Sequence, residues 1–343
     1  MNNNHNYLYA HQPSEDSTFI FPISGMSFGE DCTELEIGKT RFIMKSAFDF
    51  SECSLGIMER SWFERQISDV KTLAVVSTQD VSAEWISHSD RTSIALQLAK
   101  QSIGIIYLLL YMFRDRVDYE SIINISSLGK VQIDEGLNPF ISNTQLFNYP
   151  IDVSNSLTFV VNTEFKKLCN DKNSYFDIYY NTPNTFYKKI LKSLELFYCI
   201  YNETSVNERL FKFPIIPNML FSKNKTDNLN SNFLHKQIEC LLNNYNVDIY
   251  SKIPDDILKI YSDNTLAQLS KELNKIYQKI RNKFAHGKFN LYQEFCCVET
   301  LDLLVYKLVI MELMKIIIFE EELRQIKSSR DLNNYILTMA NQK

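Results

Sequence analysis

The pattern of apolar and polar positions changes character along the chain. Residues 18–23 and 35–44 are rich in Phe and Ile with partial alternation, and 71–77 is a third run of the same kind, so strands are predicted there. Inside the second run stands Gly38-Lys39-Thr40. Gly-Lys-Thr also ends a phosphate-binding loop, but the glycine that loop needs five positions before Gly38 is Thr33, and the flanks read as strands. A hairpin-like turn is therefore expected. A helix is predicted from 91 to about 113, with Asp90 as its N-cap and the uncharged run 103–113 buried. That run is too short to span a bilayer. Stretches 121–125 and 131–133 around Gly129 read as another hairpin. His88 and Asp90 lie near serines, but a cap loop without a nucleophile elbow gives them no catalytic role.

Residues 1–16 are polar and without period, as in a mobile tail, and show no basic segment followed by an apolar one. Between about 138 and 183 come Pro139, Pro150, Pro183 and several Asn clusters, with short strand-like stretches at 157–161 and 175–180. A domain boundary is expected here. From 184 the period becomes helical: Phe186, Ile190, Leu194, Phe197 and Tyr201 share one stripe, and Pro214 and Pro217 end that region. Residues 223–230 read as a polar loop, 231–245 as a helix with Phe233, Ile238, Leu241 and Leu242 apolar, 265–286 as a third helix, and 294–321 as a long closing helix. The expected fold class is α+β: a tail at 1–16, a mixed α+β domain at 17–150, a linker at 151–183, and an all-α, up-and-down bundle at 184–343.

The helix at 265–286 carries the one stretch that suggests chemistry. Leu266, Leu269, Leu273, Ile276, Tyr277, Ile280 and Phe284 form its apolar stripe, while Arg281, Asn282 and His286 lie beside it. At about 100° per residue, Asn282 and His286 fall about 40° apart on the wheel, and Arg281 is long enough to reach the same edge. Gly287 follows at once and suits the residue after a helix end.

Arg281-Asn282, three intervening residues, His286-Gly287, and Tyr277 four residues before the arginine together resemble the RNxxxH signature of HEPN domains, most closely the Apea-like group. Leu194-Glu195-Leu196 is similar to the Leu-Glu element on the first core helix of that group, and the resemblance covers roughly 183–323. It implies a homodimer in which two motifs face one cleft, and a metal-independent endoribonuclease with no cofactor, of the kind that acts as a toxin or in anti-phage defence. RNA, as tRNA or mRNA, would be its substrate, and an antitoxin or a phage-derived trigger its regulator. A non-catalytic HEPN module that binds RNA, nucleotide or a partner protein is the second reading. A fused nucleotidyltransferase is a third, weakened because no Gly-Ser followed by Asp-x-Asp is present.

The residue types suit that chemistry. Imidazole titrates near neutrality and passes protons both ways, so His286 is the proton carrier. The Arg281 guanidinium offers forked donors to phosphate oxygens, and Asn282 orients His286 or shapes the helix end. Tyr277 and Gly287 have structural roles at the motif, and His235 is read as a partly buried helix residue outside the site. Lys279, Lys283 and Lys288 are the substrate-binding candidates, with Lys271 and Lys275 on the same basic stretch.

Charge sharpens this division. Residues 1–183 carry 14 Lys and Arg against 23 Asp and Glu, whereas 184–343 carry 22 against 18, so the motif lies in the basic half. Seven scattered cysteines without a Cys-x-x-Cys pair argue against a zinc ribbon or a disulfide framework. A cytoplasmic location without a membrane anchor is expected.

Overall fold

The computed structural model describes residues 17–49, 61, 64, 70–77, 91–114, 122–125, 130–134, 140–142, 158–182, 184–203, 206–222, 231–253, 269–285 and 297–340. The chain divides into two units, neither continuous in sequence: Met1–Ile103 with Glu120–Asn173, and Gly104–Tyr119 with Ser174–Lys343. Asp90 and the loop at 223–230 lie outside the described residues.

In the first unit β1 (Ser17–Ser24) is followed by β2 (Met26–Phe28), β3 (Glu34–Ile37), β4 (Thr40–Met44), β5 (Thr72–Ser77) and the helix α1 (Arg91–Arg114), of which Arg91–Ile103 belongs here. Next come β6 (Asn124–Ile125), β7 (Lys130–Asp134), β8 (Phe140–Ser142), β9 (Phe159–Val161) and α2 (Thr163–Asn181). Seven strands make one antiparallel sheet in the order β3-β4-β5-β1-β7-β8, with β6 also on β1. Phe19, Ile20, Phe21 and Ile23 of β1 are all buried, which is what a central strand covered on both faces requires.

The predicted strands at 18–23, 35–44 and 71–77 are present, the second broken into β3 and β4 by a two-residue turn. Gly38 takes φ 58° there, the left-handed value that such a turn asks of its first residue, and its N–H donates to Asn173 Oδ1 at 2.8 Å. The turn, not a phosphate loop, is what the Gly-Lys-Thr stretch makes.

Other expectations need correction. The segments read as a hairpin at 121–125 and 131–133 do not pair with each other: β6 lies against Ile23 and Ser24 of β1, and β7 against Ser17 to Ile20. Between those two pairings stand Phe21 and Pro22, where the proline has no N–H to give a ladder. Residues 175–180, read as a strand in a linker, belong to the helix α2. Phe176, Tyr179 and Tyr180 are its buried positions at helical spacing, and aromatic richness imitates a strand when the period is overlooked. Strands β2 and β8 had no signal of their own. β2 runs parallel to β9, and Thr72 Oγ1 fixes it to the main sheet by donating to the Met26 carbonyl at 2.8 Å.

The second unit is helical among its described residues. Besides Gly104–Arg114 of α1 and Ser174–Asn181 of α2 it holds α3 (Thr185–Tyr201), α4 (Val206–Lys212), α5 (Ile215–Phe221), α6 (Ser231–Asn244), α7 (Leu269–Ala285), α8 (Cys297–Phe319), α9 (Glu321–Arg324) and α10 (Ser329–Ala340). Asn184 caps α3 by accepting from the N–H groups of Phe186 and Tyr187, and the predicted stripe Phe186, Ile190, Leu194, Phe197 and Tyr201 is buried. Pro214 and Pro217 were expected to end a helical region but begin α5 instead. Proline is tolerated in a first turn, where the N–H groups have no intrahelical acceptor.

The helix α8, expected as the long closing helix of the bundle, is buried on nearly every side from Leu303 to Ile318. Its charges are accommodated by specific partners. Glu312 accepts from the Tyr111 hydroxyl at 2.5 Å and lies 3.3 Å from Lys252 and 3.4 Å from Lys315. Lys307 Nζ stands 4.1 Å above the Tyr201 ring, itself stacked on Tyr107, and burial with the nearby Arg209 pushes its pKa well below the ordinary lysine value. Among the described residues one stretch, Ser93–Arg114, is long and apolar enough to cross a membrane by composition, yet 78% of its most apolar window is buried inside the protein.

Candidate functional site

Tyr277, Arg281 and Asn282 of the motif stand on α7. Leu273 and Ile276 are fully buried, Ser270, Asn274 and Tyr277 half-buried, and Lys271, Lys275 and Gln278 exposed, so the predicted amphipathic period holds through Tyr277. The buried face packs on α6. Polar contacts fix this pairing at two levels: the Ser270 N–H points to Glu239 Oε1 at 3.4 Å, and Asn274 Nδ2 donates to Asn232 Oδ1 at 2.5 Å.

At Tyr277 the contact becomes aromatic. The His235 ring of α6 lies 5.9 Å from the Tyr277 ring at 72°, and 6.2 Å from the Tyr306 ring of α8 at 79°. His235 Nε2 hydrogen-bonds the Tyr306 hydroxyl at 2.8 Å, while among the described residues no hydrogen-bond partner within 3.5 Å faces its Nδ1 or the Asn274 Oδ1. Burial drives the His235 pKa down to about 4, against a weaker upward pull from the Asn274 side chain, so the ring is neutral near pH 7. Burial likewise raises the Tyr306 hydroxyl far above its ordinary value, helped by the neighbouring Tyr277.

This cluster was missed in the sequence. His235 is completely buried, not partly, and it touches the motif tyrosine. The signal was its spacing: Leu234, His235, Ile238, Leu241 and Leu242 form the buried face of α6, whereas Phe233, expected on that face, is 39% exposed. Tyr277 packs its ring against His235 of α6.

The backbone of α7 continues through Ala285, which sets Lys279, Arg281, Asn282 and Lys283 on the same helix, with Arg281 one turn beyond Tyr277. The side chains of these four lie outside the described residues, as do His286, Gly287 and Lys288 altogether. On α3, Leu194 is buried and Glu195 pairs with Lys192 at 2.7 Å. Among the described residues no group of His, Cys, Asp and Glu side chains could hold a metal ion. No protein-family model, curated protein or solved structure matches the chain.

Proposed function

We propose that the helical unit is a HEPN-type endoribonuclease that cleaves RNA without a metal. The observation that carries this reading is the position of the Arg281-Asn282 pair. It follows Tyr277 on a helix whose buried face is occupied by Leu273 and Ile276 and anchored by His235. A helix held this firmly one turn upstream supports a fixed geometry for polar groups at its far end.

The chemistry runs as follows. A 2′-hydroxyl attacks the adjacent phosphorus while a base takes its proton, and the 5′-oxygen leaves with a proton from an acid. The products carry a 2′,3′-cyclic phosphate and a 5′-hydroxyl. His286 is the proton carrier, Arg281 stabilises the charge developing on the phosphoryl oxygens, and Asn282 orients the imidazole. One chain offers one such His, so two chains in a homodimer supply both acid and base. Lys279, Lys283 and Lys288 draw in the polyanion. In a cell such cleavage makes a toxin or an anti-phage effector, with an antitoxin or phage product as its control, and cytoplasmic RNA as its target.

The test is purified protein on mixed tRNA and mRNA in EDTA, with end-group analysis of the products. Cleavage leaving cyclic phosphate, reduced on the order of 10²–10⁴-fold in His286→Ala, supports the reading. If RNA is bound but never cut, the protein is a non-catalytic HEPN module; if cutting needs added divalent metal, the mechanism is wrong.

A further inference from the structure

The first unit contains a cleft of about 640 Å³ that the nuclease reading does not use, within the range of about 300–1,000 Å³ usual for small-molecule sites. Among the described residues its polar lining is Lys45, Lys71, Glu64, Ser27 and Ser46. Phe28, Met44, Phe48 and Val70 supply the apolar part.

The two lysines are brought together by the sheet. β4 and β5 pair in the register Thr40↔Val76 through Met44↔Thr72, and the next step of that ladder is Lys45 opposite Lys71, closed by the Lys45 N–H donating to the Lys71 carbonyl at 2.9 Å. Like charges directly opposite on paired strands repel each other, and water or salt relieves this only in part. Here the pair borders a concavity that Ser27 and Ser46 also line. Glu64 also faces the cleft and offsets one of the two charges. Among the described lining residues two lysines stand against one glutamate, inside a half of the chain where acidic residues outnumber basic ones by 23 to 14.

The third wall is equally determined. β2 carries Ser27 and Phe28 and is held against β5 by the Thr72 hydroxyl on the Met26 carbonyl, so the serine and the phenylalanine are fixed relative to Lys71. Cationic and hydroxyl donors together with aromatic and aliphatic groups in one cleft match a ligand with an anionic head and a flat apolar body.

We propose that this cleft binds a small organic phosphate of nucleoside monophosphate size, its phosphate on Lys45, Lys71 and the two serines and its ring against Phe28 and Phe48. This stands independently of the nuclease reading, because binding is measured without RNA.

The test uses the full chain with AMP, GMP, UMP and inorganic phosphate as probes in calorimetric titration, on wild type, Lys71→Glu and Lys45→Met. At least one nucleotide should bind the wild type at micromolar concentration, better than inorganic phosphate does, and each variant should weaken it by about tenfold or more. Lys71 is exposed, so Lys71→Glu without ligand should melt no lower than wild type, which separates lost binding from lost folding. Absence of nucleotide binding up to millimolar concentration, binding unaffected by Lys71→Glu, or inorganic phosphate binding as well as the nucleotides would each overturn the proposal.

Discussion

The Nε2 of His235 and the hydroxyl of Tyr306 meet at 2.8 Å inside the helical unit, with Tyr277 of the motif helix packed against the same imidazole. The hydrogen bond joins α6 and α8 in a fully buried place, and the Tyr277 ring brings α7 against the same imidazole. The His235 ring is neutral in the folded protein and protonates only near pH 4, whereas an exposed imidazole does so near 6.5.

A pH dependence follows from that difference. Because the folded-state pKa is depressed, the unfolded chain binds an extra proton between pH 6.5 and 4, so folding loses stability as pH falls through that window. For the shift to about 4 the loss is about 3 kcal/mol. Urea unfolding of wild type and His235→Gln from pH 7 to pH 4 should show the variant with the shallower decline. Parallel curves would show that His235 does not titrate in this way.

Gly104 supplies a second prediction. It lies in α1 where a Cβ would come within 1.9 Å of the Leu194 carbonyl oxygen of α3. Alanine at a helix interior normally gains about 1 kcal/mol over glycine, but overpacking against an immovable backbone costs about 1–3 kcal/mol. The clash should win, so Gly104→Ala should lower the urea midpoint instead of raising it. An equal or higher midpoint would mean that the two helices slide apart without penalty.

Much of this architecture was legible in the chain, and the exceptions have physical causes. The strands at 18–23 and 71–77 and the helix starting at 91 announce themselves by runs of apolar residues that no other element could bury. The helix α2 was hidden because its aromatic residues imitate a strand, and β8 because three residues carry no period. The charges were not explained either: Lys307 and Glu312 interrupt the apolar run of α8, and nothing in sequence shows that Tyr201, Tyr111 and Lys252 converge on them from distant segments. At the motif, the stripe through Tyr277 was readable, but the imidazole that anchors it comes from His235, over 40 residues earlier.

Glu312 is the charge whose removal should be costly. Glu312→Ala leaves Tyr111 and the mostly buried Lys252 without their carboxylate, and breaking a buried pair from one side costs about 3–5 kcal/mol. Lys315→Ala removes a partner with 38% of its side chain exposed and should cost less than about 1 kcal/mol. Thermal or urea unfolding of both variants checks the order, and comparable losses would contradict the assignment of Lys252 as the partner that matters.

On the proposed reaction, Arg281 and His286 have separable roles. Arg281→Ala should slow cleavage by about 10²–10³-fold and weaken RNA binding as well, because charge-assisted contacts to phosphate are lost in both states. Arg281→Lys should recover binding better than rate, since a point charge lacks the fork. His286→Ala should leave binding nearly intact. Filter binding alongside single-turnover cleavage separates the two effects, and an Arg281→Lys enzyme as fast as wild type would remove the forked contact from the mechanism.

The dimer can be tested through the same two variants. If each site draws on both chains, a mixed dimer of Arg281→Ala with His286→Ala holds one intact arginine and one intact histidine at a shared cleft. Either variant alone offers only arginines or only histidines. Mixing the inactive proteins, after mild denaturation and refolding to exchange chains, should therefore restore a fraction of the wild-type rate, set by the share of mixed dimers and their single acid or base. Sedimentation of the same samples reports whether they are dimers at all. Restored cleavage with a dimer places Arg281 and His286 of different chains in one site. No recovery from verified mixed dimers means either that a single histidine does not sustain cleavage at a shared cleft or that Arg281 and His286 must come from the same chain, and a dimer lacking only one His286 separates these outcomes by whether it cleaves.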